Sequence, residues 1–445
     1  MIRKTFTLLA LPLLLAGNAL AQTTLNKPKL DSLLTLLDTH HKTMGSLTLV
    51  QNGKVVYSRN IGLEQTAPTA VPATPATHYR VGSVSKLFTA TMVMQLVEAG
   101  KIKLDAPIAT WFPQLPNAAK ITVDQLLHHR SGLHSFTNDA AYAQYMTQPK
   151  TQAEMLTIMA AAPVEFEPGA KYDYSNTNYL LLGYLVEKVT KQTYAQALEK
   201  RIVRKLKLKD TYYGGHINGA KHEAASFKWS GTAWETQPET DMSIPGGAGA
   251  VVSTSADLSR FLEGLFAGKL VKPATLAQMQ DIQDGYGRGM MMAPFDGSKS
   301  YGHFGSIDAF RAALVHFPAE KLTVAYCGNT NYSISDLMIG VLSVAFNKPY
   351  RLPNFTATVP NLTAAELTPF VGSYASAQMP LKISVTTSGT TLMAQATGQS
   401  PFPLTPKSKT QFVYDATGLQ LDFDAEKHEF TLKQGGGNYL FVREN

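Results

Sequence analysis

Ser83 and Lys86 are three residues apart, at the point where a loop rich in Pro, Thr and Ala leads into the apolar stretch 84–97. That stretch predicts a helix buried nearly all round that stops at Gly100. Residues i and i+3 share one helix face, so the Ser83 hydroxyl and the Lys86 amine are able to meet. A serine hydroxyl becomes an effective nucleophile once a neighbouring base takes its proton. Ser83 is therefore a candidate nucleophile, with Lys86 as its base.

A lysine base imposes a condition on its surroundings. The pKa of the amine must fall from about 10.4 toward 7, a shift that corresponds to roughly 4 to 5 kcal/mol. Burial together with a neighbouring cation is able to supply it. Ser-x-x-Lys alone is a weak signal, but Ser83 begins the only one in the chain.

Two further groups of residues could complete such a site. Tyr174 and Asn176 form the only Tyr-x-Asn motif in the sequence, and they lie between a Gly-containing loop and an apolar helix. At this position both side chains are able to project into one cleft. The simpler interpretation makes Tyr174 a half-buried aromatic residue and Asn176 the N-cap of that helix. His303 begins a run that continues as a predicted strand, so His303, Gly305 and Ser306 would lie at one end of it.

The three motifs, in chain order, resemble those of the class C β-lactamase and penicillin-binding-protein-like serine hydrolase family, which includes esterases and D-aminopeptidase-like enzymes: Ser83-x-x-Lys86, Tyr174-x-Asn176 and His303-x-Gly305. The flanking segments 126–133, 166–169 and 246–249 also look like that family. The resemblance covers about residues 30–346, and the tail resembles a lipocalin-like domain.

The resemblance implies a role for each motif residue. Ser83 would form the acyl-enzyme, and Lys86 and Tyr174 would share the general-base and general-acid steps. Asn176 would orient Lys86 and the substrate amide. The N–H groups of Ser83 and Ser306 would form an oxyanion hole. The resemblance implies neither a metal nor a cofactor.

The third motif departs from the family pattern, because His303 and Phe304 stand where β-lactamases and carboxypeptidases usually carry Lys and then Thr or Ser. Both changes remove groups that hold a substrate carboxylate, which favours an esterase or aminopeptidase-like hydrolase. A β-lactamase or D,D-carboxypeptidase is an alternative that requires His303 to be protonated near pH 6. A second alternative is a penicillin-binding sensor in which Ser83 is acylated once and released slowly.

The remaining patterns predict an α+β fold of the β-lactamase/transpeptidase type. Strands near both ends of the catalytic region, with helices between them, suggest one antiparallel sheet flanked by helices, with a mostly helical subdomain. Short β-prone segments near the end of the chain suggest a small all-β barrel. The predicted units are a signal peptide, a hydrolase domain, a Pro-rich linker and a lipocalin-like domain: 1–21, 22–346, 347–361 and 362–445.

The first 21 residues predict export. Arg3 and Lys4 precede an apolar stretch that is shorter than the roughly 20 residues of a membrane span, and Ala19-Leu20-Ala21 is typical of a cleavage site. We therefore expect a periplasmic or secreted protein with no stable membrane anchor. Cleavage after Ala21 would lower the net charge from +7 to +5.

Charge and cysteine content exclude other classes. The basic residues are scattered, and their densest cluster, 200–209, reads as a solvated helix face and not as a nucleic-acid site. The single cysteine, Cys327, reads as a buried strand residue. The His pairs at 40–41 and 128–129 read as surface or turn residues, not as zinc ligands. The expected partner is a small-molecule or peptide acyl substrate, and the oligomeric state stays open.

Overall fold

A computed structural model describes residues 25–355, 360–379, 381–397, 401–414, 419–434 and 437–444. The predicted signal peptide lies outside the described residues, as does part of the predicted linker. Within the described ranges, no helix combines the length and the apolar character that crossing a bilayer requires.

Thirteen strands precede the linker: β1 (Gly45–Gln51), β2 (Lys54–Ile61), β3 (Leu63–Gln65), β4 (Val71–Pro72), β5 (Tyr79–Arg80), β6 (Tyr212–Tyr213), β7 (Phe227–Trp229), β8 (Trp234–Thr236), β9 (Val251–Ser253), β10 (Met291–Met292), β11 (Tyr301–Ile307), β12 (Phe310–Phe317) and β13 (Leu322–Gly328). The α-helices of this region are α1 (Lys27–Thr39), α2 (Ser85–Glu98), α3 (Val123–Leu127), α4 (Tyr142–Tyr145), α5 (Gln152–Ala161), α6 (Asn176–Thr190), α7 (Tyr194–Leu198), α8 (Arg204–Leu206), α9 (Ser255–Phe266), α10 (Pro273–Met279) and α11 (Ile334–Ala345).

A six-stranded antiparallel sheet forms the centre of the hydrolase region, in the order β10-β11-β12-β13-β1-β2. Successive strand side chains point to opposite faces. Accordingly, Ala312 and Leu314 of β12 join a core that also contains residues of α2, α6 and α9. Ala313 and Val315 join a second core with α1 and α11. The predicted antiparallel sheet with helices on its faces is confirmed.

The helix after Ser83 is buried along almost its whole length, as its apolar sequence predicts. Its buried residues run without interruption from Ser85 to Leu96. It packs against α6 on the face of the sheet opposite to α1 and α11. Its first turn, which carries Lys86, is thereby held inside the molecule.

The C-terminal module is a closed antiparallel barrel preceded by a short helix: α12 (Ala364–Leu367), β14 (Gly372–Ala375), β15 (Lys382–Ser388), β16 (Thr391–Ala396), β17 (Phe402–Pro406), β18 (Gln411–Tyr414), β19 (Leu419–Asp424), β20 (Glu429–Gln434) and β21 (Gly437–Arg443). Strands that are neighbours in the chain are neighbours in the barrel, and β14 closes it against β21. Its interior is packed with aromatic and aliphatic side chains, Phe412, Phe430 and Phe441 among them. The predicted small β barrel is confirmed.

A hydrogen bond between side chains joins the barrel to the hydrolase region. The Tyr414 hydroxyl of β18 donates to Asp336 Oδ1 of α11 at 2.8 Å. Helix α11 packs on the sheet face opposite to α2. This contact therefore lies on the side of the sheet away from Ser83.

Candidate active site

Ser83 lies in a 3-10 helix, Gly82–Val84, that continues into α2. Lys86 is one turn further on, and its Nζ lies 2.9 Å from Ser83 Oγ. The i, i+3 spacing thus brings hydroxyl and amine together as the sequence predicts. Ser83 also lines a cavity of about 350 Å³, so its hydroxyl faces space that a substrate is able to occupy.

The Lys86 amine is fully enclosed. The residue is 0% exposed, and Nζ also lies 2.8 Å from Asn176 Oδ1 and 2.9 Å from the Ala248 carbonyl oxygen. Burial holds the pKa of Lys86 well below its usual value of 10.5, because a charged ammonium loses its hydration there. A neutral amine has a lone pair with which to accept the Ser83 proton.

Tyr174 stands beside this pair. Its ring centroid lies 4.9 Å from Lys86 Nζ, and its hydroxyl interacts with the Ser83 side chain. Burial raises the pKa of Tyr174 above its usual value of 10, and the contact with Ser83 opposes this rise only in part. The phenol therefore keeps its proton at neutral pH and is able to donate it.

Asn176 is the first residue of α6, and Ser175 holds the N-cap position without a side-chain capping bond. The simpler interpretation of Asn176 as an N-cap is therefore wrong. Its Oδ1 accepts from Lys86, and its Nδ2 donates to Thr137 Oγ1 at 2.9 Å. The side chain is held in one orientation from both ends.

His303 is buried in β11, 2% exposed, and does not line the cavity. Nδ1 faces the Phe304 carbonyl oxygen and must donate, so Nε2 accepts from the Tyr286 hydroxyl at 3.0 Å. The pKa of His303 is lowered to about 3, with burial as the main cause. His303 is therefore neutral at pH 6, which contradicts the idea that protonation lets it replace the family lysine.

Two glycines allow the Ser83 and Ser306 segments to touch. A Cβ on Gly305 would lie 2.0 Å from the Val81 carbonyl oxygen. A Cβ on Gly82, which has φ +49°, would lie 2.8 Å from Ser306 N. Any larger residue at either position would push the two backbone segments apart. Ser83 and Ser306 consequently border the same end of the cavity.

The cavity is lined by both apolar and polar residues. Its apolar and aromatic lining residues are Phe136, Tyr142, Met146, Pro245, Ala248 and Ile307. Ser83, Asn176 and Ser306 contribute the polar groups around the candidate nucleophile. The described residues that line it include one carboxylate, Asp308, and no Lys or Arg side chain. The described lining residues therefore offer no cation to a substrate carboxylate.

His129 contacts the loop that carries Tyr174, a role that the three motifs did not indicate. His128 and His129 lie in a turn, one of the two predicted options, although both are buried and not on the surface; the φ of His129 is 55°. His129 Nδ1 accepts from Ser175 N at 3.1 Å, and its ring lies 4.2 Å from that of Tyr174. The only sequence feature that pointed to His129 was its position in segment 126–133, which resembles the family.

Arg311 is a second residue that the motifs do not reveal. It faces Ser306 across the β11–β12 pair, and its Nη1 donates to Ser306 Oγ at 2.7 Å. Cys327 lies fully buried in β13, as expected. Across the described residues, no group of three or more His, Cys, Asp or Glu side chains is arranged to hold a metal ion.

Comparison with known proteins identifies the family. The family model described as Beta-lactamase matches residues 31–340. The chain belongs to the beta-lactamase family. The suspected family is thereby confirmed, and its members include serine hydrolases. Family membership fixes the fold and the reaction class, but not the substrate.

Two relatives and one solved structure describe the similarity. The chain is 27% identical to the putative penicillin-binding protein PbpX of Bacillus subtilis, covering 60% of this chain and 65% of that protein. It is 24% identical to penicillin-binding protein 4* of Bacillus subtilis over 94% of this chain and 99% of that one. The D-amino acid amidase of Ochrobactrum anthropi has 28% identity and a TM-score of 0.61, covering 72% of this chain and 99% of that chain.

Proposed function

We propose that this family member hydrolyses an ester or amide bond through an acyl-enzyme on Ser83. The observation that carries the proposal is the fully buried Lys86 amine, 2.9 Å from Ser83 Oγ. Burial lowers the pKa of this amine, which favours the neutral form that is able to act as a base toward the Ser83 hydroxyl.

In the acylation step, neutral Lys86 removes the Ser83 proton while Oγ attacks the substrate carbonyl carbon. The carbonyl π electrons move to oxygen, and the backbone N–H groups of Ser83 and Ser306 stabilise that negative charge. Loss of one such donor typically costs about 3 to 4 kcal/mol of barrier. As the tetrahedral intermediate collapses, Tyr174 protonates the leaving group and is reprotonated by Lys86.

In the deacylation step water takes the place of Ser83 as the nucleophile, and Ser83 Oγ becomes the leaving group. Lys86 removes a proton from water, whose oxygen attacks the acyl carbon, and Ser83 Oγ leaves and regains a proton through Tyr174 or Lys86. The tetrahedral intermediate uses the same pair of N–H donors. Asn176 keeps the Lys86 amine aligned throughout because its Nδ2 is tied to Thr137. Neither step requires a metal or a cofactor.

The substrate that the site fits best is an ester or amide without a carboxylate beside the scissile bond, such as an esterase or aminopeptidase substrate. Neutral His303 and Phe304 offer no cation or hydroxyl to such a carboxylate. The D-amino acid amidase relative, which by its name acts on an amide, supports this choice. The relatives named as penicillin-binding proteins support β-lactam acylation as the second candidate, with either turnover or one slow release.

Export is the remaining part of the proposal, and residues 1–21 carry it. The mature protein would begin at Gln22 in the periplasm or the medium. Mass spectrometry of protein recovered outside the cytoplasm of a producing bacterium tests this. A mass that retains residues 1–21 would contradict cleavage.

Intact-protein mass spectrometry with a fluorophosphonate probe tests the nucleophile. We expect one label on the wild type and none on Ser83→Ala, which should also lose turnover of p-nitrophenyl acetate. Ser85→Ala is the neighbouring control, because Ser85 Oγ accepts from Val251 N and does not contact Lys86 Nζ in the described site. A chromogenic cephalosporin run in parallel separates the candidates: turnover indicates β-lactamase activity, and a single stoichiometric burst indicates a sensor.

A further inference from the structure

A buried ion pair joins the two backbone segments that border the cavity. Arg80 precedes Ser83 by three residues, and Asp308 follows Ser306 by two. Arg80 Nη1 lies 3.1 Å from Asp308 Oδ2, and the two side chains are only 2% and 1% exposed. The Arg80–Asp308 pair therefore connects the two backbone segments, 82–83 and 305–306, that touch each other and supply both candidate oxyanion donors. This contact between the two segments is called the junction below.

A third segment fixes this pair in place. The Thr240 hydroxyl and N–H donate to Asp308 Oδ1 at 2.6 and 3.2 Å, and the Thr240 carbonyl accepts from Arg80 Nη1 at 2.8 Å. Arg80 Nη2 donates to the Gly215 carbonyl at 2.9 Å and also contacts Glu239. Asp308 and Thr240 line the cavity itself. The carboxylate thus has one orientation, defined by Arg80 and Thr240 together.

The two backbone segments at this junction are packed too closely to shift relative to each other without a clash. Gly82 and Gly305 bring the two backbones into direct contact, and an oxyanion hole requires donors about 2.7 to 3.1 Å from the developing charge. Asp308 has φ 51°, a left-handed conformation that fixes how β11 turns away after Ser306. A shift of the Asp308 side chain is therefore transmitted to the Ser306 N–H.

We propose that Arg80 and Asp308 are positioning residues, which set the separation of the Ser83 and Ser306 N–H groups and so determine how well the site binds a tetrahedral oxyanion. The inference rests on the proposed acyl-enzyme function. A purely structural ion pair would change stability alone, since buried pairs contribute little net stability but are costly to break. Binding of a tetrahedral mimic separates the two roles.

The experiment compares reversible inhibition by an aryl boronic acid, which forms a tetrahedral adduct on serine, with kcat and KM for p-nitrophenyl acetate. Asp308→Asn turns an amide N–H toward Arg80, and Asp308→Glu keeps the charge but displaces it by one methylene. For both variants we expect boronate affinity and kcat to fall about tenfold or more, while KM changes less than about threefold. The final extent of fluorophosphonate labelling counts the folded sites in each preparation.

Asp257→Asn is the matched control. Asp257 is also a buried carboxylate that accepts from an arginine (Arg260, 3.0 Å), a threonine hydroxyl (Thr211, 3.1 Å) and a backbone N–H (Asp210, 2.7 Å), but it does not line the cavity. Wild-type boronate affinity in Asp308→Glu, or an equal loss in Asp257→Asn, would overturn the positioning role. Absence of labelling in the wild type would instead overturn the proposed function.

Discussion

At the residue scale, the chemistry depends on two protonation states that burial sets. The same removal of water that lowers the pKa of Lys86 raises that of Tyr174, because each charged form loses hydration. Burial consequently favours the free amine of Lys86 and the protonated phenol of Tyr174 over their charged forms. That combination provides one group to accept the Ser83 proton and one to donate to the leaving group.

Replacing Lys86 by Arg tests the base directly. A guanidinium stays protonated at all working pH values, so the charge is retained but the base is lost. We expect kcat/KM for p-nitrophenyl acetate to fall by about 100-fold or more. In the wild type, kcat/KM should rise with pH through a Lys86 pKa well below 10.5 and then level off. Lys101→Arg, an exposed exchange, is the control, and an active Lys86→Arg would assign the base elsewhere.

At the scale of elements, the site is a junction of three: the start of α2, the start of α6 and strand β11. The sequence places one motif at each of these elements, which is why motif order and helix patterning predicted Ser83, Lys86, Tyr174 and Asn176 together. The contact between β11 and the Ser83 segment has no such pattern. It depends on the absence of a side chain at Gly305, which is visible only in three dimensions.

Gly305→Ala tests that contact. The added Cβ would lie 2.0 Å from the Val81 carbonyl oxygen, so β11 or the Ser83 segment must move. We expect a loss of roughly 1 to 3 kcal/mol in the free energy of unfolding. We also expect kcat to fall at least about tenfold as the oxyanion donors separate. Gly219→Ala, whose Cβ would meet only the flexible Gln65 side chain at 3.2 Å, should be close to wild type in both measurements.

Strand β12 carries a buried histidine, His316, whose titration affects stability and takes no part in the proposed reaction. His316 bonds Thr323 Oγ1 at 2.8 Å, and burial lowers its pKa to about 4. Because the folded-state pKa is below the unfolded value, about 6.5, the unfolded chain binds the proton first as pH falls. Stability linked to His316 is therefore complete above pH 6.5 and is lost as the pH falls toward 4.

His316→Gln should make the protein less sensitive to acid. Between pH 7 and pH 5 the wild type is expected to lose about 2 kcal/mol more free energy of unfolding than the variant. Urea unfolding at both pH values measures this difference. His216→Gln is the control, because His216 is largely exposed. Equal pH dependence in His316→Gln and wild type would show that the imidazole is not held neutral by burial.

At the scale of the whole molecule, the hydrolase region and the barrel have separate hydrophobic cores. The Tyr414–Asp336 contact lies on the face of the sheet away from Ser83. The barrel interior is filled by its own side chains, so its fold does not depend on the catalytic core. The two regions therefore have no shared packing around the nucleophile among the described residues.

Deleting residues from 362 onward is expected to leave kcat and KM within about twofold of the full chain, because the Ser83 junction keeps its described contacts. Kinetics with p-nitrophenyl acetate and solution mass by light scattering are the measurements. Tyr414→Phe in the full chain is the milder companion variant. A large loss of kcat with normal folding would assign the barrel a catalytic role, and a change in solution mass would assign it a role in assembly.

The sequence by itself predicted Ser83 as the candidate nucleophile, with Lys86, Tyr174 and Asn176 beside it, because spacing and motifs are local properties and together carry the family resemblance. It also determined the antiparallel sheet and the barrel from hydrophobic alternation. Only the tertiary structure decided the direction in which the pKa values of Lys86, Tyr174 and His303 shift, since burial depends on which elements cover a side chain. The junction held by Gly82, Gly305, Arg80 and Asp308 was likewise beyond the sequence, because its partners are brought together by folding from segments more than 200 residues apart.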